Sequence, residues 1–182
     1  MARSKILLDT NAYLRLAKSI RPLLNQPFGS AQYSLYIHKE LQNEFDRSSR
    51  LRSKFAWVNT SEFSIERKNT ITLSKNEIMG IDRAYDFIWN FQRDENYSLS
   101  RVDVLCLSTA YTLNIPIVTD DKAMSEVAEE YEILVFSTLK LLKLMLDEGH
   151  ISMEKVKEIV EYWKYMNDLP INFLNDYEIL FQ

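Results

Sequence analysis

The chain has 182 residues, 46% of them hydrophobic and 26% charged, enough to build a core of ordinary size. Its 3 glycines, 4 prolines, 1 cysteine and 2 histidines exclude a loop-rich all-β fold, a glycine-rich phosphate loop, an intrachain disulfide and a cysteine-based zinc site. The net charge of −4 argues against a protein that coats nucleic acid with its whole surface, but not against a local basic patch.

Ile6, Leu7 and Leu8 form a short continuous apolar run that fits a strand buried on both faces. The run stops at Asp9, Thr10 and Asn11 follow, and Tyr13, Leu16, Ala17 and Ile20 then share one helical face. Three apolar residues are too few for a secretory core. The later apolar stretch 133–146 contains Lys140 and Lys143, so no membrane span is expected and the sequence points to the cytoplasm. A carboxylate at the carboxyl end of the first strand lies where open α/β sheets place their sites. Asp9 is equally suited to cap the helix.

Residues 21–31, with Pro22, Pro27 and Gly29, read as a loop. Residues 33–37 read as a second strand and 38–47 as a helix carrying Glu40 and Glu44 four positions apart. Arg47, Arg50, Arg52 and Lys54 form a basic cluster that suits phosphate contacts or a solvated helix end. Residues 55–73 carry no clear period, and 63–65 and 70–73 read as short strands or turns. A capping-box pattern at Ser74 and Glu77 opens a helix to about Arg93. Ser100 and Asp103 repeat that pattern before a helix that Asn114 and Pro116 end. Residues 117–119 make a short buried strand stopping at Asp120 and Asp121. A helix over 122–130, a strand over 133–136, and helices over 138–147, 152–166 and 172–180 complete the chain. Strands alternating with helices imply an α/β fold around a mostly parallel sheet of four or five strands.

In a parallel sheet the acids that end two strands, Asp9 and Asp121, lie on the same edge. Glu44 and Asp103 sit on helices that adjoin it. Convergent carboxylates raise one another's pKa unless a cation intervenes. Mg²⁺ or Mn²⁺ suits all-oxygen ligation, and such a site favours phosphodiester hydrolysis. Each acid also has a plain structural role: Asp103 as a capping-box partner of Ser100, Asp120 or Asp121 as the cap of the next helix, and Glu40 and Glu44 as solvated helix acids.

The set resembles the PIN-domain family. The matching features are an apolar strand ending in D-T-N at Asp9, a helical Glu at Glu44 (with Glu40 still open), an Asp opening a helix at Asp103, and a strand ending in T-x-D at Asp121. The match runs from about residue 5 to residue 136, with specific ends and a weaker middle. The tail is similar to a subfamily ending in T-L-x-x-L…G-x-I, here Thr138, Leu139, Leu142, Gly149 and Ile151, whose members resemble toxins of toxin–antitoxin pairs.

The resemblance implies a three-layer α/β/α domain over 1–136 and a helical C-terminal extension over 137–182 packed on it. It implies a Mg²⁺- or Mn²⁺-dependent endoribonuclease that leaves a 5′-phosphate and a 3′-hydroxyl. Asp9, Glu44, Asp103 and Asp121 would hold the metal. Thr10, Asn11, Thr119 and Asp120 would support them, and Arg47, Arg50, Arg52 and Lys54 would contact RNA. A small antitoxin is an implied partner. The apolar tail residues Phe173, Leu174, Tyr177, Leu180 and Phe181 point to a homodimer. Two rival readings stand beside this one. A phosphohydrolase of the haloacid dehalogenase type needs a second Asp where this chain has Asn11. A PIN-like module that binds RNA or protein without cutting needs only the scaffold.

Overall fold

The computed structural model describes residues 4–68 and 70–181. Four strands, β1 (Lys5–Leu8), β2 (Ser34–Ile37), β3 (Ile117–Val118) and β4 (Val135–Phe136), form one sheet in the order β2-β1-β3-β4. Every pairing is parallel, with Leu8 level with Ile37 and Val118, and Val118 level with Phe136. The register therefore aligns the residues that follow the strands. Asp9, His38, Thr119 and Ser137 leave the sheet side by side on its carboxyl edge.

The helices are α1 (Thr10–Leu16), α2 (Leu41–Arg47), α3 (Ser49–Lys54), α4 (Ser61–Glu66), α5 (Lys75–Asp94), α6 (Arg101–Leu113), α7 (Lys122–Glu130), α8 (Thr138–Asp147), α9 (Met153–Tyr165) and α10 (Phe173–Phe181). Alternate side chains of β1 point to opposite faces, and each face has its own core. Ile6 and Leu8 pack with α1, α8 and α9 through residues such as Tyr13, Leu142 and Trp163. Leu7 packs with Ile117 and with α5, α6 and α7 through Ile88, Leu107 and Val127. The result is helices on both faces of a parallel sheet, as the alternation of elements predicts. Burying Ile6, Leu7 and Leu8, each at most 1% exposed, contributes roughly 1.5–3 kcal/mol per side chain.

Three stretches differ from the sequence expectation. The second helix starts at Leu41 rather than His38, because residues 38–40 form a turn in which Leu41 N–H donates to the His38 carbonyl at 3.1 Å. Residues 63–65 are helical, not extended. Ala56–Asn59 is a 3-10 turn and α4 follows, burying Phe63 beside Trp57 with ring centroids 4.4 Å apart. Residues 70–73 form neither a strand nor a turn and pair with no strand among the described residues.

Most apolar residues of the tail are core: Leu141, Leu142, Met145, Ile159 and Trp163 are buried. On the tail's outer side Tyr165, Ile171, Leu174 and Ile179 remain exposed, Leu174 by 79%. No helix of the described residues is long and apolar enough to cross a membrane.

Candidate active site

The carboxyl edge of the sheet gathers the acids through helix capping. Asp9 ends β1 in extended backbone and caps α1, its Oδ1 accepting from Ala12 N–H at 2.5 Å. Its Oδ2 accepts the Thr119 hydroxyl at 2.6 Å, which ties the ends of β1 and β3 together. Asp103 sits in the first turn of α6 and completes a capping box, accepting from Ser100 N–H at 2.8 Å while its own N–H donates to the Ser100 hydroxyl at 3.2 Å. Asp121 caps α7, Oδ1 accepting from Met124 N–H at 2.8 Å, and its own N–H donates to the Thr119 hydroxyl oxygen at 3.0 Å. Capping occupies one oxygen of Asp103 and one of Asp121. The other oxygen of each has no protein partner among the described residues.

Glu44 joins the group from α2, accepting the Thr10 hydroxyl. Glu40 instead accepts from Asn43 on its own helix. The structure thus brings Glu44, not Glu40, to the Asp-Thr-Asn turn.

The electrostatics bind these acids into one group. Burial pushes the Asp9 carboxyl up to about 7, only partly offset by the Thr119 and Ala12 hydrogen bonds, and the charges of Asp120 and Asp103 add to the rise. Asp103 is raised by burial, against the Ser100 hydrogen bonds, and further by Asp121. Glu44 is raised by burial, against Thr10, and further by Asp103. Cys106, buried on α6, is held protonated chiefly by burial and then by Asp9, Asp103 and Glu44 together.

Donor chemistry of this kind, carboxylates and hydroxyls, fits a hard divalent cation such as Mg²⁺ or Mn²⁺. The buried carboxylate of Asp9 gains most from such a charge. Among the described residues, however, no three His, Cys, Asp or Glu side chains stand close enough together to ligate one ion as they are.

Asp120 faces the other way. Its Oδ1 accepts from Thr138 N–H at 3.0 Å and its Oδ2 from the Thr138 hydroxyl at 2.6 Å and from Arg15. Asn11 is exposed and makes no hydrogen bond to an acid among the described residues. The basic cluster divides. Arg47 lines the cleft beside Glu44, Arg50 is exposed, Arg52 donates to the Asp46 carbonyl, and Lys54 pairs with Asp168 at 2.8 Å.

A cleft of about 940 Å³ adjoins the acids and shares Glu44 and Ser100 with them. It opens between the end of β2, α2, the segment 70–73 and the starts of α5 and α6. Three of its polar residues, His38, Lys39 and Arg101, are absent from the sequence-derived set. The signal for His38 was its position: it follows β2 directly, on the same edge as Asp9. Lys39 and Arg101 carry no such signal, since each is one exposed cation among 22 Lys and Arg residues.

No protein-family model matches the chain, and no curated protein matches it. Among solved structures the chain is similar to one described as the crystal structure of FitAcB from Neisseria gonorrhoeae. The identity is 14% and the TM-score 0.46, over 73% of this chain and 97% of that one.

Proposed function

We propose that this chain is a Mg²⁺- or Mn²⁺-dependent endoribonuclease of the PIN type, acting as the toxin of a toxin–antitoxin pair. The PIN resemblance supplies the family and the tail motif supplies the toxin class. The observation that carries the chemistry is the acid edge itself: Asp103 raises both Asp9 and Glu44 beside a cleft and is itself raised by Asp121, and Asp9 is buried with its carboxyl raised to about 7.

In this reading Asp9, Asp103, Asp121 and Glu44 hold the cation. Thr119 and Ala12 fix Asp9, Thr10 fixes Glu44, and Ser100 fixes Asp103. Such an ion, when bound, would supply a water of lowered pKa and offset charge on the phosphate. A water attacking phosphorus would give its proton to a carboxylate of the set, for which the raised Glu44 and Asp103 are suited. The new P–O bond would form in line as the bond to the 3′-oxygen breaks, and solvent or the newly protonated carboxyl would supply the proton that makes the 3′-hydroxyl.

One observation favours a second reading, a module that binds RNA or protein without cutting. The three aspartates already serve as caps or a capping box, and among the described residues no three acids are gathered for a metal. Titrating Mn²⁺ into the purified protein with a labelled RNA separates the two. Cleavage that rises with Mn²⁺ and stops with EDTA supports the nuclease. Binding with no cleavage at any Mn²⁺ concentration supports the module.

A further inference from the structure

We propose that the cleft beside the acid edge binds one unpaired nucleotide of an RNA strand, with His38 as the residue that contacts its base. This rests on the nuclease reading for its substrate class and goes beyond it in assigning a second, non-metal subsite.

The cleft has three components that a splayed nucleotide requires. Its floor is aliphatic, built from Leu7, Ile37, Ile81 and Leu105, and can take the faces of a base withdrawn from water. Its walls carry the cations Lys39, Arg47 and Arg101 together with the acids Glu40, Glu44 and Asp82. The three cations suit the phosphates that flank a buried base. Its volume of about 940 Å³ lies at the upper end of the small-ligand range, room for a nucleotide with its flanking phosphates.

The polar contact comes from His38. Its Nδ1 accepts from Glu40 N–H at 3.2 Å, so the neutral imidazole carries its proton on Nε2. That N–H has no protein acceptor among the described residues, and the half-buried side chain lines the cleft. It stays open to the cleft, where a ligand that presents an acceptor, such as a base edge, can take it. The cleft's own acids do not fill this role: Glu40 is engaged by Asn43, Glu44 by Thr10, and Asp82 makes no hydrogen bond to His38 among the described residues.

The occupant is nucleic acid rather than an apolar peptide because the cleft is continuous with the acid edge through Glu44 and Ser100. A strand whose phosphate sits at Asp9 and Glu44 extends directly into it.

The test uses single-stranded hexanucleotides of A, C, G and U, with binding followed by fluorescence anisotropy in EDTA so that no strand is cut. Wild-type protein should bind at least one of the four more tightly than the others. His38→Ala should lose about fivefold to tenfold on the preferred base and even out the four. His38→Gln, which keeps a donor, should restore part of the preference. Arg101→Ala should weaken all four alike and reduce the salt dependence. Thermal melts of each variant separate lost binding from lost folding.

Equal binding of all four by wild-type protein, with no change in His38→Ala, overturns the proposal. So does wild-type protein that cuts RNA in Mn²⁺ yet binds no hexanucleotide in EDTA while an apolar peptide displaces solvent from the cleft; the nuclease reading survives that result. A His38-dependent base preference in a protein that never cuts upholds the subsite and overturns the nuclease reading.

Discussion

Arg15 and Asp168 meet at 3.2 Å across a sequence separation of 153 residues, joining the first helix to the turn between α9 and α10. The same guanidinium also pairs with Asp120, and Asp168 takes a second cation, Lys54, at 2.8 Å. Trp163 donates its indole N–H to the Arg15 carbonyl at 3.1 Å and lies under the guanidinium. The C-terminal helices are thereby pinned to the residue next to Asp121. These side chains are mostly shielded from water, so removing Arg15 takes from Asp120 the one cation paired with it among the described residues, though Asp120 keeps its Thr138 hydrogen bonds, and leaves Asp168 to Lys54. Arg15→Ala should destabilise the fold by about 3–5 kcal/mol, read from urea denaturation. Lys54→Ala should cost less, because Arg15 still faces Asp168. Equal stability of Arg15→Ala and wild type would show that the network is surface decoration.

The same pairing bears on RNA binding. Lys54 and Arg52 are occupied within the protein, whereas Arg47 lines the cleft and Arg50 is exposed. Neutralising Arg47 and Arg50 together should weaken RNA binding and flatten its dependence on salt by about one to two charges. Lys54→Ala should leave that slope unchanged. The opposite ranking would return Lys54 to the RNA surface.

Stability of the metal-free protein should fall as pH rises. Asp9 has its folded value raised from 3.8 to about 7, so between those values the folded state holds a proton that the unfolded state has released. Its contribution is complete below about pH 4 and lost as pH climbs through 7, with an upper bound of roughly 4 kcal/mol. Asp103 and Glu44 are raised too and act in the same direction. Melting temperatures in EDTA should therefore decline from pH 5 to pH 8, and Mn²⁺ should recover the loss at pH 8. A flat profile in EDTA would show that Asp9 is not held out of water.

Ser100 serves two carboxyl groups, bonding Asp103 in the capping box and favouring the ionised form of Glu44. Ser100→Ala should cost about 1 kcal/mol of stability. It should also weaken Mn²⁺ binding by about 10-fold, measured by calorimetry. A stability loss with unchanged Mn²⁺ affinity would make the capping box purely structural.

The sequence points to a homodimer through Phe173, Leu174, Tyr177, Leu180 and Phe181, but Phe173 is buried and Tyr177, Leu180 and Phe181 pack against the core, so the exposed apolar surface of the tail is Leu174 with Ile171 and Ile179. Light scattering at micromolar concentration should give twice the 21.5 kDa chain mass, and Leu174→Asp should return the monomer. A monomer in the wild type removes the dimer.

The two ends of the fold were legible in the sequence because their signals are local. The apolar run ending at Asp9, the capping boxes at Ser74 and Ser100, and the strand ending at Thr119 each appear where read. The middle was not. Helix α3 buries none of its residues, so it shows no apolar period, and α4 is one short amphipathic turn beginning beside Thr60. The acids could be named, but not how each is held. That Asp120 would turn to Thr138 and Arg15, and that Glu44 rather than Glu40 would meet Thr10, depends on contacts between distant elements.

The central claim is that Asp9 is part of a metal-dependent cutting site and not merely the cap of α1. Asp9→Asn tests it directly, because asparagine can still cap the helix through its single Oδ1, with its NH2 turned to donate to the Thr119 hydroxyl oxygen, while losing the charge. Cleavage of single-stranded RNA in Mn²⁺ should fall by more than about 100-fold, beyond what outer-shell partners are usually worth. The melting temperature at pH 8 should stay level or rise, since a raised carboxyl has been removed. Cleavage by Asp9→Asn at the wild-type rate would contradict the account.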